Sequence, residues 1–223
     1  MKKSPRLPSP RQNKNQMKKI AMFGGTFNPI HNGHIELALC AAQQLDLEQV
    51  LLIPTHTPPH KRYQEEVTAW QRWEMCRLAV QGYKNLEASD LEIKRPGASY
   101  TVDTLRELHR DFPDAEIYLI TGADMFLTVQ NWKCAADIFS LAVICGVPRD
   151  QEKEMTLKKH ELVLREEFGA KTVLLQMPLV PISSTEIRER IRKNLPIGEW
   201  VPPSVERYIQ ENHLYQKDES HKD

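Results

Sequence analysis

The stretch Ile-Ala-Met-Phe-Gly-Gly-Thr-Phe-Asn-Pro-Ile-His-Asn-Gly-His occupies residues 20–34. Its first four residues form an apolar run of the kind found in buried strands, and two glycines follow directly. After Gly33 the apolar side chains recur at helical spacing. The stretch therefore predicts a strand, a tight glycine loop and the start of a helix.

The rest of the chain repeats this alternation of short apolar runs and longer amphipathic segments. The predicted strands are residues 20–23, 50–53, 117–120, 141–147 and 173–176, with a weaker candidate at 86–93. The predicted helices are residues 34–46, 68–81, 101–111, 155–168 and 184–193. Such alternation is typical of a parallel sheet with helices on both faces, so we expect one α/β domain with a Rossmann-like, doubly wound sheet. Sheets of this kind bind ligands beyond the carboxyl ends of their strands.

The ends of the chain differ in composition from its body. The chain has 223 residues, of which 40% are hydrophobic and 27% charged, as in an ordinary globular protein. Its formal net charge is zero, but residues 1–19 contain seven lysines and arginines and no acid, so the rest carries a charge of −7. Residues 1–16 offer little apolar surface to bury, which predicts a disordered basic extension. We expect the folded domain at 17–215 and a flexible tail at 216–223.

The basic extension has several interpretations. Met17 directly precedes the first strand pattern, so a natural start at Met17 is one of them. A transit peptide is another, although the prolines of residues 1–16 disfavour the amphipathic helix that such a peptide forms. A nucleic-acid-binding module is a third, and the neutral total charge argues against it.

Composition also indicates where the protein works. No run approaches the roughly 18 apolar residues that a membrane helix needs, and no secretory signal pattern is present. The four cysteines lie more than ten residues apart, without a C-x-x-C pair. We expect a cytoplasmic protein without a membrane partner, with buried thiols; whether it forms a homo-oligomer stays open.

The histidines His31 and His34 stand at the predicted helix start. They are three residues apart and hence on one side of the first turn, where both imidazoles can donate hydrogen bonds to one polyphosphate. The helix start adds amide donors and a positive dipole end. Two alternatives stay open at this point: histidines that only cap the helix, and a zinc site, for which no third ligand stands nearby.

Two short motifs carry a resemblance to a known family. His-Asn-Gly-His at residues 31–34 resembles the H-x-G-H signature of the nucleotidyltransferase superfamily, and Ile-Ser-Ser-Thr-Glu-Ile-Arg at residues 182–188 resembles its I-S-S-T-x-x-R signature. Four motifs stand between them in the order seen in bacterial nicotinate-nucleotide adenylyltransferases: Pro-Pro-His-Lys at 58–61, Ser-Tyr-Thr-Val-Asp-Thr-Leu at 99–105, Gly-Ala-Asp-Met at 122–125 and Trp-Lys at 132–133. The resemblance covers about residues 18–215. It departs from the family at Asn28, where many members have Asp.

The second motif also predicts a local structure without the resemblance. Ser183 followed by Glu186 is a capping-box pattern, so Ser183 or Ser184 is expected to begin a helix whose amide donors can bind an anion. Arg188 lies one turn further in, and its fork of donors can hold two phosphate oxygens. The alternative is a plain helix cap with a solvated arginine.

The resemblance implies transfer of AMP from ATP to nicotinate mononucleotide, with deamido-NAD and pyrophosphate as products. It implies direct in-line attack without a covalent intermediate, with Mg²⁺ carried by ATP and no metal ligand from the protein. It assigns stabilisation of phosphoryl charge to His31, His34, Lys61 and Arg188. The implied ATP-binding residues are Gly24, Gly25, Thr26, Phe27, His31, His34, Ser183, Ser184 and Arg188. Those implied for nicotinate mononucleotide are Tyr100, Thr101, Asp124, Trp132 and Arg149.

Some of these residues have competing interpretations. Trp132 offers a flat face to a pyridine ring but also fits a core position, and Asp124 also fits a helix N-cap. His56 is interpreted as a solvated loop residue. Among enzymes, the rivals are superfamily transferases that act on pantetheine phosphate or use CTP. A dehydrogenase is disfavoured because Gly24-Gly25 lacks the third glycine of G-x-G-x-x-G.

Overall fold

A computed structural model of the chain describes residues 17–56, 67–148, 151–177 and 181–216, with only the backbone of residues 151 and 152. Its strands are β1 (Lys18–Gly25), β2 (Gln49–Pro54), β3 (Leu86–Ala88), β4 (Ala115–Gly122), β5 (Val143–Val147) and β6 (Thr172–Leu174). Its longer helices are α1 (Asn32–Leu45), α2 (Ala69–Ala79), α4 (Thr101–Asp111), α6 (Ala135–Leu141), α7 (Gln151–Phe168), α8 (Ser184–Arg192) and α9 (Pro203–Glu211). The short ones are α3 (Leu91–Lys94), α5 (Ala123–Phe126) and a 3-10 turn at Val129–Asn131. The predicted basic extension 1–16 and nearly all of the predicted tail 216–223 lie outside the described residues.

The described strands form one parallel sheet in the order β3-β2-β1-β4-β5-β6. This is the order of a doubly wound sheet, with the reversal between β1 and β4. The predicted fold class is thereby confirmed. The crevice at the carboxyl ends of β1 and β4 is the expected ligand position, and the loop with the two glycines and the two histidines leaves β1 at that point.

Alternation along the strands builds a core on each face of the sheet. Ala21 and Phe23 face one cluster, which α1, α2, α8 and α9 cover, whereas Ile20 and Met22 face the other, which α4 to α7 cover. All four side chains are at most 6% exposed. Because both faces of β1 are packed, the loop that follows it starts from a rigid base.

The structure corrects several boundaries. The candidate strand at 86–93 is wrong beyond Ala88, because Leu91–Lys94 forms a helical turn. The run 141–147 includes Leu141, which ends α6, so β5 begins at Val143. Helix α9 was not predicted, although Val205 and Ile209 are buried at i and i+4 spacing.

The four cysteines are free, but their burial differs from the prediction. Cys76 and Cys145 are buried, Cys40 is half-buried and Cys134 is exposed, so the expectation of buried thiols is wrong for Cys134. Burial raises the pKa of the Cys145 thiol to about 12. No helix among the described residues combines the length and the apolar character needed to cross a membrane.

Candidate active site

The loop after β1 makes a tight turn around Phe27. This residue has a left-handed φ of 47° and is only 3% exposed. A Cβ on Gly25 would lie 3.1 Å from the Phe27 ring, tighter than ordinary contact. Gly25 therefore leaves room for the buried Phe27 ring, which a side chain at position 25 would push aside by a few tenths of an ångström.

The two predicted histidines meet at the start of α1. His31 is its N-cap, and the His31 backbone N–H donates to His34 Nδ1 at 3.2 Å. The two rings stack with 3.6 Å between their centroids. The interpretation of these residues as helix caps is thus correct for the backbone at the start of α1. The same hydrogen bond fixes the orientation of the His34 ring. With Nδ1 accepting, the neutral ring carries its proton on Nε2.

The N-terminus of α1 is tied to a distant loop that the sequence did not indicate. The Asn32 backbone N–H donates to the Trp200 carbonyl at 2.9 Å, and Asn32 Nδ2 donates to the Glu199 carbonyl at 3.0 Å. These bonds fix the direction in which the helix start faces.

The second motif lies against the first. Ser183 caps α8 by accepting the Glu186 N–H at 3.2 Å, as predicted. Ser184 Oγ donates to the Pro29 carbonyl at 2.8 Å, and Arg188 Nη1 donates to the Asn28 carbonyl at 2.6 Å. The structure therefore joins two motifs that are about 150 residues apart in sequence.

Asn28 has a further contact, with the end of the described chain. The Tyr215 hydroxyl donates to Asn28 Oδ1 at 2.6 Å, and Tyr215 is 3% exposed with a φ of 65°. The position at which the sequence departs from the family thus carries a structural bond. Tyr215 therefore contacts the loop between β1 and α1, although nothing in the sequence around it indicated this contact.

Of the residues assigned to the acceptor nucleotide, Tyr100 and Trp132 pack against the core on the other face of the sheet. Tyr100 is the N-cap of α4, and Lys133 Nζ lies 3.8 Å from the centroid of its ring. Lys133 also pairs with Asp103 of α4 at 3.7 Å. Trp132, next to Lys133, is half-buried against the core, so it is partly a core residue while keeping an accessible part. The structure therefore brings the Tyr100–Thr101 and Trp132–Lys133 segments together.

Asp124 follows β4, as predicted, but it does not cap a helix. The N-cap of α5 is Gly122, so the N-cap alternative for Asp124 is wrong. The Asp124 side chain is 65% exposed and pairs with Lys153 of α7 at 3.4 Å. Its carboxylate stands at the carboxyl edge of the sheet, next to the reversal of strand order.

A buried polar network supports the start of α4. Glu92, 4% exposed, accepts a hydrogen bond from Thr104 Oγ1 at 2.7 Å. The His56 backbone N–H donates to Ser99 Oγ at 3.2 Å. His56 is half-buried in the loop after β2, and its Nδ1 is buried with no hydrogen-bond partner among the described residues, so the prediction of a solvated loop residue holds only in part. The network connects the end of β2 with the Tyr100–Thr101 segment.

This network predicts a pH dependence of stability. Burial raises the pKa of the Glu92 carboxyl above its ordinary value of 4.5. The folded chain therefore holds this proton more tightly than the unfolded chain does. The contribution to stability is complete below about pH 4.5 and is lost as the pH rises through the raised pKa.

In Glu92→Gln this titration is absent. As the pH rises from about 4.5 to neutrality, the unfolding free energy of the variant should therefore increase relative to that of the wild type. Urea unfolding at a series of pH values measures the difference. Glu48→Gln, at an exposed glutamate, is the control and should follow the wild type. Parallel curves for Glu92→Gln and the wild type would contradict the prediction.

Two predicted site residues, Lys61 and Arg149, lie outside the described residues. Within the part of the chain that the structure describes, no three His, Cys, Asp or Glu side chains come together as a metal site.

Comparison with known proteins identifies the class and then the family. Residues 22–190 match a family model described as cytidylyltransferase-like. The chain is 40% identical over 201 residues to a protein of Desulfitobacterium hafniense (strain DSM 10664 / DCB-2) named as a probable nicotinate-nucleotide adenylyltransferase, covering 89% of this chain and 96% of that protein. A protein of the same name from Clostridium perfringens (strain SM101 / Type A) is 37% identical over 202 residues, covering 91% and 100%. The chain belongs to the nicotinate-nucleotide adenylyltransferase family.

A solved structure shares the fold. Nicotinic acid mononucleotide adenylyltransferase of Plasmodium falciparum, complexed with NaAD, aligns with a TM-score of 0.71 at 20% identity. The alignment covers 89% of this chain and 97% of that one. At this identity the likeness supports the fold alone.

Proposed function

We propose that the protein transfers AMP from ATP to nicotinate mononucleotide, giving deamido-NAD and pyrophosphate as a step of NAD biosynthesis. The observation that carries the proposal is the junction of the two signature motifs, where Ser184 and Arg188 bond the carbonyls of Pro29 and Asn28 beside His31. Relatives that bear the name of this activity cover nearly the whole chain, which supports the same substrates.

The chemistry requires alignment more than activation. A phosphomonoester has a second pKa of about 6, so the attacking phosphate is already largely a dianion at pH 7 and needs no general base. We infer direct in-line attack on the α-phosphorus of ATP, with pyrophosphate leaving and no covalent intermediate. The protein then has two tasks, which are to hold two anions in line and to stabilise charge on the transferred group.

The ATP phosphates are assigned to the joined motifs. The bonds of Ser184 and Arg188 to the loop before α1 bring the starts of α1 and α8 together, and the positive dipole ends of two helices favour an anion there. His34 would donate from Nε2, Arg188 from its guanidinium, and His31 from its ring, with Lys61 as a further cation. Gly24, Gly25, Thr26, Phe27 and Ser183 would form the wall of this pocket.

Magnesium enters this proposal as part of the substrate. A hard cation prefers oxygen ligands and binds through phosphate groups with few protein ligands. We therefore propose that ATP brings Mg²⁺ into the site on its own phosphate oxygens.

The acceptor is assigned to the α4 side of the crevice. The accessible part of Trp132 would stack on the pyridine ring, and Thr101 would meet the nicotinate carboxylate. Tyr100 supports this wall from the N-cap of α4. Asp124 would accept hydrogen bonds from ribose hydroxyls, and Arg149 would help to hold a phosphate.

The test is an assay of pyrophosphate release with the full chain, ATP, magnesium and nicotinate mononucleotide. Release that requires all of these components and yields deamido-NAD is the expected result. Parallel reactions with pantetheine phosphate, or with CTP in place of ATP, test the rival transferases. Equal release with ATP alone, or faster turnover of a rival pair, would contradict the proposal.

We also infer a cytoplasmic location, because the thiols are free and the proposed substrates are phosphorylated metabolites. Small molecules, and neither nucleic acid nor membrane, are the proposed partners.

A further inference from the structure

Helix α2 contains a buried arginine to which the sequence assigned no role. Arg72 lies in the first turn of α2 and is 0% exposed, whereas the side chain of Arg77 on the same helix is 43% exposed. Arginine is almost never fully buried unless its donors are satisfied. Its position therefore needs an explanation from its contacts.

The guanidinium bonds backbone carbonyls from two different loops. Nη1 donates to the Thr26 carbonyl at 2.8 Å, and Nη2 donates to the carbonyls of Thr55 and His56 at 2.7 Å and 3.3 Å. Thr26 is the first residue after β1, and Thr55 is the first after β2. Arg72 thus connects the loops beyond the carboxyl ends of two neighbouring strands.

These bonds extend a junction that the backbone begins. The Thr55 N–H donates to the Gly25 carbonyl at 2.9 Å, directly after the paired residues Gly25 and Pro54. At the next residues, Thr26 and Thr55, the strands are no longer paired, and the Arg72 guanidinium bonds both carbonyls instead. The fork of Arg72 can satisfy carbonyls on both sides, because its donors lie in one rigid plane.

Each connected loop leads to proposed phosphate contacts. Thr26 precedes Phe27, whose ring contacts that of His34 with 5.0 Å between the centroids, and His56 precedes in sequence the segment that contains Lys61. A buried charge is a poor device for stability alone, since well-packed apolar residues often stabilise as much. By bonding carbonyls on both sides, the arginine fixes the distance between Thr26 and Thr55, which an apolar side chain cannot do.

We infer that Arg72 is a positioning residue that holds Thr26, directly after β1, and Thr55 and His56, directly after β2, at the spacing required for phosphoryl transfer. The inference rests on the proposed function. It concerns backbone placement only, since Arg72 itself bonds carbonyls of the protein. A misplacement of about 1 Å at such a site can lower turnover about 100-fold.

The experiment compares Arg72→Ala, Arg72→Met and Arg72→Lys with Met75→Ala. Met75 lies on the same helix and is 0% exposed, so Met75→Ala disturbs the same core while leaving the arginine in place. At a temperature well below every measured Tm, kcat should fall about 100-fold in Arg72→Ala and Arg72→Met and about 10-fold in Arg72→Lys. Met75→Ala should lose Tm but keep kcat within about 2-fold.

Chemical rescue separates positioning from general stability. Arg72→Ala leaves a space that a guanidinium ion can enter, whereas the methionine of Arg72→Met fills it. Millimolar guanidinium should therefore restore part of the kcat of Arg72→Ala and none of that of Arg72→Met. If Arg72→Ala or Arg72→Met does not fold, Arg72→Lys carries the test, because it keeps the buried charge.

The outcomes are distinguishable from failure of the proposed function. Wild-type protein that makes no deamido-NAD refutes the proposed function itself. Active wild type together with full kcat in Arg72→Lys, or with losses in the arginine variants that only match Met75→Ala, overturns the role of Arg72. Equal rescue of Arg72→Ala and Arg72→Met would overturn it as well.

Discussion

Replacing His34 by asparagine is expected to lower kcat about 10²- to 10³-fold while leaving the Tm close to that of the wild type. The range is that of removing one donor from a preorganised anion site. Initial rates of pyrophosphate release at saturating ATP and nicotinate mononucleotide measure the first quantity, and thermal unfolding measures the second.

The expectation follows from the two different tasks of the ring nitrogens. Nδ1 accepts the His31 N–H and so contributes to the start of α1. Nε2 then carries the proton of the neutral ring, and a phosphate oxygen would accept from it. An asparagine Oδ1 can replace Nδ1 as the acceptor, but asparagine places no donor at the position of Nε2.

Two companion variants separate these tasks. His34→Gln places an amide donor near the position of Nε2 and should recover part of the lost kcat. His34→Ala removes both functions and should lose about 1 kcal/mol of stability in addition to the activity, as when a helix cap is removed. Wild-type kcat in His34→Asn would show that His34 only caps the helix.

Local patterns made much of this architecture predictable. Apolar runs of four to seven residues indicated β1, β2, β4 and β5, because a strand buried on both faces must be apolar throughout. The capping pattern predicted that α8 begins at Ser183 or Ser184, and the helix begins at Ser184 with Ser183 as its N-cap. Alternation of strands and helices then indicated a parallel sheet and the edge at which the site would lie.

Contacts between distant residues were not predictable in the same way. The bonds from Tyr215 and Arg188 to Asn28 depend on how α8 and the last described turn pack on the sheet. The burial of Arg72 did leave a signal, because it shares a helical face with Met75, Cys76 and Ala79, all of them buried. Hydrophobic periodicity predicts only apolar residues on the buried face of a helix. An arginine fits on such a face when its donors are satisfied.

The second large effect is expected at Arg188. Two of its N–H groups bond the protein, and the others are proposed to bind phosphate oxygens. Nη1 bonds the Asn28 carbonyl at 2.6 Å and Nη2 bonds Thr185 Oγ1 at 3.3 Å. A guanidinium has five N–H donors, so these two bonds orient the group without exhausting it. The oriented fork can then hold oxygens of the transferred phosphoryl group.

Arg188→Ala is expected to lower kcat/KM about 10²- to 10³-fold, the range for loss of a charged donor to a developing oxyanion. Arg188→Lys should lose at least about 10-fold, because an ammonium cannot bond the Asn28 carbonyl and two phosphate oxygens in one plane. Steady-state kinetics with ATP as the varied substrate measure both.

Arg190→Lys is the matched control, on the same helix and with the same chemical change. Arg190 bonds the Pro196 carbonyl at 2.9 Å and lies over the Trp200 ring, so its bonds do not include the Asn28 carbonyl that Arg188 holds. A lysine at this position keeps a cation over Trp200, whose carbonyl holds the start of α1. The variant should keep kcat/KM within about 2-fold even if its Tm falls. Equal losses in Arg188→Lys and Arg190→Lys would mean that Arg188 acts through the packing of α8, and that the phosphate charge is met by other groups.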